Sequence, residues 1–523
     1  MQQFVAIDDS VIALAHSAAM LGIDGYVVRV EADSAPGTPS CTITGLPDRA
    51  LREARDRVRS AIFNSGYLYP AGRLLVHLSP ADVRKEGPAF DLAIALALLA
   101  IDEQVDRLAL QNFVALGELA LDGSLNPTAG LLPMLLGARR SRFAKMIIPT
   151  ASLEEALLVD GLELYGVASL GEAVAVIQGH GAKYRVHGKT SSNVTPKRAH
   201  RGDYADVRGQ LGAKRALEIA AAGGHNLLLV GPPGCGKTML AQRLPSILPP
   251  MSSNEALDVT KIYSVAGLLG PRPRLVSDRP FRSPHHTISE VALVGGGAVP
   301  KPGEISLAHH GVLFLDELPE FRRSALEVMR QPIEDGTVTI ARAAGTFNYP
   351  ARFMLVASMN PCPCGMRGSR DSDCRCDDAV VAKYVAKLSG PLLDRIDLQI
   401  EVGRVTFTEI SEGPLMESSA AIRTRVVAAR ELQRERYASI GLESNAELAS
   451  AQVREYCRLD DTASVLLKEA CAKRQFSARA FDRIARVART IADLAQNPTI
   501  AREHIAEAIR YRSLERIGGR RVA

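Results

Sequence analysis

Apolar and polar residues alternate through residues 1–185 with two different periods. Short apolar or alternating runs predict β-strands. These runs are 27–30, 41–44 and 74–78. Residues 48–65 carry apolar side chains at helical spacing, and the Ala/Leu-rich run 90–101 predicts a buried helix. The mixture predicts an N-terminal α/β domain over residues 1–185.

The pattern changes twice beyond that domain. Residues 186–203 are polar and basic without periodicity, which is typical of a linker. Strand-like apolar runs return within 204–405, and from 406 to 523 the pattern is helical throughout. A chain of 523 residues is too long for one core. We therefore predict an α/β multi-domain protein with a second α/β core at 204–405 and a helical C-terminal domain.

A glycine-rich motif follows the first apolar run of the second core, Leu227–Val230. Its spacing is G-x-x-x-x-G-K-T, and a helical segment comes after it. Strand, glycine-rich turn and helix form a cradle in which backbone N–H groups bind phosphate. The motif predicts an ATP site made by Gly231, Pro232, Pro233, Gly234, Cys235, Gly236, Lys237 and Thr238. In it, Lys237 binds the β- and γ-phosphates and Thr238 ligates Mg²⁺.

Two carboxylates end the next strong strand pattern, at residues 311–315. An ATPase needs an acidic residue near the metal and another near the attacking water. Asp316 is therefore predicted to hold the Mg²⁺ hydration shell, and Glu317 to orient and deprotonate water. A strand followed by a solvated acidic turn is the alternative. Asn360 ends the following strand pattern, 353–358, where its amide can contact the water or the γ-phosphate.

Arg395 lies near the end of this core, within the segment Leu388–Leu398. Its position suits an arginine finger that reaches the nucleotide of a neighbouring subunit. The alternative is a surface arginine that caps a helix and pairs with a local aspartate.

The order of these motifs resembles an AAA+ ATPase. Segments 279–289 and 302–311 narrow the resemblance to the magnesium-chelatase-like branch, and within it to the competence-associated ComM (YifB-like) family. The resemblance implies an AAA+ core, a helical C-terminal lid and a homo-oligomeric ring, usually a hexamer. It also implies that Arg395 is the trans-acting finger and that Arg479 is the sensor arginine of the lid.

The function that this resemblance implies is an ATP-driven helicase. It would bind single-stranded or branched DNA, migrate DNA branches and help transformed single strands to integrate by homologous recombination during natural transformation. A metal-chelatase motor and a protein-remodelling ATPase are the alternatives. The chelatase motor resembles only the ATPase part of this chain, and a protein-remodelling ATPase would not be stimulated by DNA.

The N-terminal domain resembles the ribosomal-S5-like domain that Lon-type proteases share. Residues 81–91 align with the segment that carries the Lon nucleophilic serine, and Ala89 stands at that position. Alanine has no hydroxyl to activate, so serine-lysine proteolysis is excluded there. The domain is expected to guide DNA or a partner.

Four of the eight cysteines are clustered. They form two C-x-C pairs, Cys362 with Cys364 and Cys374 with Cys376. Four thiolates can complete a tetrahedral Zn²⁺ site, although the C-x-C spacing is tighter than in common zinc knuckles. Free or redox-active thiols are the alternative.

Two histidine pairs, His285–His286 and His309–His310, also invite a metal interpretation. His309–His310 precede the acidic strand and are expected to be structural, and a substrate-contact or structural role is favoured over metal ligation for His285–His286.

Charge and hydropathy add little to this assignment. The net charge of +5 permits DNA binding without requiring it, and the arginine-rich end at 510–521 is compatible with phosphate contacts. No apolar run is long enough to cross a bilayer, and the N-terminus lacks the plan of a signal peptide. We therefore expect a cytoplasmic protein without a membrane partner.

Overall fold

The computed structural model describes residues 12–85, 87–186, 202–270, 274–297, 300–342, 345–368, 374–406, 411, 416–474 and 476–512. Most of the predicted linker 186–203 and the arginine-rich end beyond residue 512 lie outside the described residues. No helix in the described ranges is both long and apolar enough to cross a membrane.

The chain folds into two compact units. The first comprises the described residues up to 186 together with Leu257–Val276 and Ala341–Asn348, and the second comprises the remainder. The last two segments lie, in sequence, inside the predicted ATPase core 204–405. The boundary between the units therefore falls within single elements of that core.

The first unit is built on an eight-stranded mixed sheet of order β10-β9-β8-β5-β1-β2-β4-β3. Its strands are β1 (Ala13–Leu21), β2 (Asp24–Ala35), β3 (Ser40–Thr44), β4 (Arg73–Ser79), β5 (Phe113–Ala115), β8 (Lys145–Pro149), β9 (Glu163–Val167) and β10 (Arg185–Val186), and β6 (Glu118–Leu119) and β7 (Leu125–Asn126) form a separate hairpin. Its helices are α1 (Arg49–Asn64), α2 (Asp91–Ile101), α3 (Arg107–Leu110), α4 (Leu131–Arg140), α5 (Leu153–Ala156) and α6 (Leu170–Ala175).

Helix α2 forms the centre of this unit because all of its residues are buried. Its uninterrupted apolar sequence leaves no face for water, as the sequence predicted. Asp48 caps α1 by accepting the amide of Leu51 at 2.8 Å, which satisfies one of the free N–H groups of the first turn. The strand and helix predictions for this region are confirmed.

The second unit contains a five-stranded, all-parallel sheet of order β12-β15-β18-β11-β19. The strands that follow β10 in the chain are β11 (Leu227–Val230), β12 (Phe281–Arg282), β13 (Gly295–Gly296), β14 (Lys301–Pro302), β15 (Val312–Leu315), β16 (Thr337–Arg342), β17 (Gly345–Pro350), β18 (Met354–Met359) and β19 (Leu398–Glu401). The helices in the same part are α7 (Leu211–Gly223), α8 (Lys237–Arg243), α9 (Ser253–Val265), α10 (Glu290–Val294), α11 (Glu304–Leu307), α12 (Arg323–Glu327), α13 (Arg330–Asp335), α14 (Asp378–Val385) and α15 (Gly390–Leu393).

Beyond the sheet the described chain is helical, as predicted. The main helices are Ser419–Tyr437, Ser450–Tyr456, Asp461–Arg474, Ala478–Leu494 and Arg502–Arg510. Their apolar faces join the buried strands of the parallel sheet in one hydrophobic cluster. The protein is thus a mixed α/β molecule with a parallel-sheet core and a helical C-terminal part.

Candidate nucleotide site

Three neighbouring strands carry the predicted site residues at their carboxyl ends. In the sheet, β18 lies between β15 and β11, and all three strands run parallel. The carboxyl ends of parallel strands meet at one edge of a sheet, which is where α/β proteins bind ligands. The phosphate loop follows β11, the Asp316–Glu317 pair follows β15, and Asn360 follows β18. The structure therefore brings these groups together.

The phosphate loop has the backbone that a phosphate cradle requires. Gly234 and Gly236 have φ values of +76° and +93°, a region that residues with a Cβ rarely adopt. A Cβ at Gly234 would meet nothing within 4 Å, so this side of the loop is open. The loop then leads directly into α8. Its geometry fits the triphosphate that the sequence motif predicts.

The side chain of Lys237 folds back over the phosphate loop. Its ammonium donates to the carbonyl oxygens of Gly231 at 2.7 Å and Pro232 at 3.0 Å, and to Oδ1 of Asn360 at 3.1 Å. The lysine is nearly buried. All three of these acceptors are neutral oxygens. A phosphate oxygen that enters the loop carries negative charge and is therefore a stronger partner for the ammonium.

Oxygen ligands suited to Mg²⁺ are paired beside the lysine. The Thr238 hydroxyl donates to Oδ2 of Asp316 at 2.7 Å, and the Ser358 hydroxyl donates to Oδ1 of the same carboxylate. Hard oxygen donors, including carboxylates and the hydroxyl of a phosphate loop, are what Mg²⁺ accepts. This donor set fits Mg²⁺ bound together with nucleotide phosphates.

Glu317 is held in an unusual backbone conformation. Its φ of +53° places a non-glycine residue in the left-handed region, which is uncommon and is concentrated at functional sites. Its amide donates to Asp316 Oδ1 at 3.1 Å and to Ser358 Oγ at 3.3 Å. The side chain is 57% exposed, and its Oε2 lies 3.8 Å from His286 Nδ1. The carboxylate is thus directed to solvent beside an imidazole.

The backbone of Asn360 contacts the phenol of Tyr384, a buried residue of α14. Burial together with the charge of Glu320 raises the pKa of this phenol to about 12. The phenol therefore stays protonated. Asn360 itself is committed to Lys237, as described above.

Arg395 lies at the amino-terminal ends of the parallel strands, at the opposite end of the sheet from the phosphate loop. Asn226, directly before β11, donates from Nδ2 to the carbonyl of Arg395 at 3.0 Å. The Arg395 guanidinium pairs with Glu334 and donates to the Pro391 carbonyl. Strand β11 alone separates this edge from the phosphate loop by roughly 13 Å. Arg395 is therefore not part of the phosphate site of the same chain.

Arg479 lies on the same side as Arg395. It is 71% exposed at the start of the helix Ala478–Leu494, with Nη1 4.0 Å from Oδ2 of Asp394. Arg483, one turn further, has Nη1 3.8 Å from Oδ1 of the same aspartate. The structure thus groups Arg479 with Arg395 and not with Lys237.

A cleft of about 580 Å³ opens beside these arginines. Arg395, Arg430 and Arg483 are among its lining residues. Burial lowers the pKa of Arg430 to about 10, and Arg279 acts in the same direction. The Nη1 atom of Arg483 and the Nε atom of Arg395 are buried and have no hydrogen-bond partner among the described residues. Carboxylates face both guanidinium groups, since Arg395 pairs with Glu334 and Arg483 lies within 4.0 Å of Asp394 and Asp397.

The four clustered cysteines converge in the structure. Their sulfur atoms all lie within 4.8 Å of one another. Cys362 is buried, Cys364 is exposed, and Cys374 and Cys376 are intermediate. Among the described residues, this is the group of His, Cys, Asp and Glu side chains whose geometry fits a metal ion.

The two histidine pairs have other partners. His309 Nδ1 accepts the amide of Arg352 at 3.0 Å, and His310 Nδ1 lies 3.4 Å from Glu255 Oε1. These contacts fit the structural role expected for that pair. His286, by contrast, is next to Glu317 in the nucleotide site.

In the first unit, Ala89 is buried in the 3₁₀ turn Pro88–Phe90 that precedes α2. Asp91, two residues later, forms a bidentate pair with Arg57 at 2.7 and 3.1 Å. The position aligned with the Lon serine therefore has no nucleophile and is closed by packing.

Sequence reasoning missed Ser358, and it named His286 without placing it beside Glu317. Ser358 is the penultimate residue of β18, and it reaches Asp316 only because β15 and β18 are neighbours. His286 lies in a segment far from Glu317 in sequence. A polar residue near the end of a buried strand was the one available signal for Ser358.

Three family models match the chain. "Magnesium chelatase, subunit ChlI" matches residues 203–410, "Subunit ChlI of Mg-chelatase" matches 30–152, and "Magnesium chelatase, subunit ChlI C-terminal" matches 416–512. The fold and the matches define a magnesium-chelatase-like AAA+ protein.

Full-length relatives narrow the family. An uncharacterized protein of Mycobacterium tuberculosis is 44% identical over 500 residues, covering 95% of this chain and 98% of that protein. The uncharacterized protein YifB of Escherichia coli is 43% identical, and the competence protein ComM of Haemophilus influenzae is 42% identical. Both alignments span 512 residues, or 97% of this chain and 98% of the relative. The chain belongs to the ComM/YifB family of magnesium-chelatase-like proteins.

Proposed function

We propose that this protein is an ATP-driven DNA motor that acts as a homo-oligomeric ring, with six subunits as the expected number. Its task would be branch migration or unwinding of recombination intermediates during natural transformation. The observation that carries the proposal is the separation of two sets of residues on one sheet. Phosphate-binding and acidic groups lie at one edge, while Arg395 and Arg479 lie at the other.

The proposed hydrolysis site uses residues of the first edge. Lys237 would exchange its carbonyl and Asn360 acceptors for phosphate oxygens. Thr238 and Asp316 would hold Mg²⁺, which neutralises phosphate charge when bound. Glu317 would orient the attacking water and accept its proton. Two features of Glu317 support this role: its carboxylate is exposed, and its left-handed backbone is of the kind concentrated at functional sites.

The second edge would complete the site of a neighbouring subunit. An arginine finger stabilises charge on the transferred phosphoryl group. Arg395 and Arg479 flank Asp394 on the side away from their own phosphate loop, so a second copy of the chain has to supply their target. A head-to-tail contact of this type forms a ring when its rotation closes.

DNA is proposed as the substrate because the relative ComM is named as a competence protein. ATP and Mg²⁺ are the cofactors of this proposal, and Zn²⁺ is the metal that the four cysteines would hold. The S5-like first unit, in which Ala89 replaces a nucleophile, would guide DNA or a partner without cleaving a peptide bond. A cytoplasmic location is part of the same proposal.

We expect DNA to stimulate ATP hydrolysis by the wild-type protein. Rates are measured with no DNA, with single-stranded DNA and with a four-way junction, at two salt concentrations. The stimulation should fall at higher salt, because phosphate contacts release counterions. Hydrolysis that no DNA changes would contradict the DNA assignment and would favour protein remodelling or a chelatase-type motor.

A further inference from the structure

The buried end of the cysteine cluster is joined directly to the nucleotide site. Cys362 follows Asn360 by two residues, and Asn360 accepts a hydrogen bond from Lys237 at 3.1 Å. Cys362 is 0% exposed, whereas Cys364 is exposed. The cluster therefore has one ligand inside the protein, next to the phosphate loop, and the others nearer the surface.

A tight turn from Cys362 to Gly365 packs against the phosphate loop. The amide of Gly365 donates to the Cys362 carbonyl at 2.9 Å, and Gly365 has a φ of +78°. A Cβ at Gly365 would lie 2.6 Å from Cδ of Pro233 and 3.7 Å from Cγ of Asn360. Real Cβ atoms do not approach so closely, so only glycine allows this contact. The turn is thus the support on which Pro233 lies.

The sulfur geometry fits a tetrahedral metal. Cys362 Sγ lies 3.3 Å from Cys364 Sγ and 3.8 Å from Cys374 Sγ, and Cys364 Sγ lies 3.6 Å from Cys374 Sγ. Zn–S bonds of about 2.3 Å in a tetrahedron place sulfur atoms roughly 3.8 Å apart. A disulfide needs about 2.05 Å. The spacing therefore favours a metal over two disulfides.

We propose that the four thiolates bind one Zn²⁺, and that this metal holds the Cys362–Gly365 turn against Pro233. Zinc binding and nucleotide binding then strengthen each other. The inference rests on the proposed ATP site, since Lys237 and Pro233 belong to it. Four soft thiolate ligands in a tetrahedron suit Zn²⁺ and disfavour Mg²⁺ and Ca²⁺, and each thiol releases its proton to water as the metal binds.

The coupling follows from what holds the turn in place. Residues 361–368 are rich in proline, glycine and polar groups, so they have little apolar surface with which to form a core of their own. A metal supplies the missing cross-link. Without the metal, Pro233 and Asn360 would lose their support. The nucleotide would then have to order them on binding, and this cost would weaken its affinity.

Thermodynamic linkage gives the sharpest test. If zinc raises the affinity for ATP by some factor, ATP raises the affinity for zinc by the same factor. The zinc content of the wild-type protein is measured by mass spectrometry, with one Zn²⁺ per chain expected. Its zinc affinity is then measured by competition with a chromophoric chelator, with and without Mg²⁺-ATP. We expect ATP to tighten zinc binding about 10-fold.

Two variants serve as matched controls for that experiment. Lys237→Ala keeps all four cysteines, so its zinc affinity should no longer respond to ATP. Cys471→Ser changes a cysteine in the helix Asp461–Arg474, outside the cluster, and should keep both the metal and the response. Zinc affinity in the wild type that ATP leaves unchanged would overturn the coupling.

Ligand variants test the same inference from the other side. Cys364→Ser should lose zinc and bind ATP about 10-fold more weakly. Gly365→Ala should keep zinc and also bind ATP more weakly, because its Cβ would displace Pro233. ATP affinity equal to that of the wild type in both variants would overturn the inference.

The inference and the proposed function fail in different ways. A wild-type protein that binds ATP but takes up no zinc, or that contains disulfides at these positions, would overturn the zinc site and leave the ATPase intact. A zinc-loaded protein that does not bind ATP would overturn the proposed ATPase and the coupling, and would leave only the metal assignment.

Discussion

Replacing Glu317 with Gln is expected to lower ATP hydrolysis by about 10³-fold and to leave ATP affinity within a few-fold of the wild type. The amide keeps the size of the side chain but cannot accept a proton from water. Hydrolysis is followed by phosphate release, and affinity by titration with a fluorescent ATP analogue. The left-handed backbone and the exposed carboxylate of Glu317 are the features that assign it this role.

Glu320→Gln is the matched control for that variant. Glu320 lies three residues further, in the turn Leu318–Glu320, and pairs with Lys387 at 3.3 Å. We expect a rate close to that of the wild type. If Glu317→Gln hydrolysed ATP as fast as Glu320→Gln, the water-activating carboxylate would have to be another residue.

Arg395→Ala is expected to reduce hydrolysis by about 10³-fold or more, because an arginine finger contributes at least this much. The informative result comes from mixing two inactive variants. An interface between an Arg395→Ala subunit and a Glu317→Gln subunit can combine the intact Glu317 of the first with the intact Arg395 of the second. If the sites are independent, an equal mixture should recover roughly a quarter of the wild-type rate.

The mixture also separates a catalytic role from a structural one. Arg395 pairs with Glu334, so its loss could disturb the protein locally. Recovered activity would show that the Arg395→Ala subunit is folded and retains a working phosphate site. A mixture that stays as inactive as each variant alone, after subunit exchange has been verified, would contradict the trans assignment.

Local spacing made part of the nucleotide site predictable. Each of three features follows an apolar strand: the phosphate loop, the Asp316–Glu317 pair and Asn360. Strands of this kind can be predicted from the local sequence. Parallel neighbours then bring the ends of the strands together without further information. The helical C-terminal part could be predicted for the same reason, because the helical spacing of apolar residues is a local pattern.

Long-range packing decided the rest. Ser358 contacts Asp316 only because β15 and β18 are adjacent. The order of strands in the sheet cannot be predicted from the local sequence of either strand. Arg479 lies at the edge of Arg395 because the C-terminal helices pack there. The contact of Gly365 with Pro233 joins positions more than a hundred residues apart. Glycine is expected in any tight turn, so its identity did not reveal the neighbour.

Branch migration on a labelled four-way junction shows directly whether this protein moves DNA branches. Wild-type protein and Glu317→Gln are each incubated with the junction, Mg²⁺ and ATP, and the exchanged strands are separated by electrophoresis. We expect ATP-dependent strand exchange by the wild type and none by the variant. A wild-type preparation that hydrolyses ATP but leaves the junction unmoved would contradict a DNA branch-migration motor.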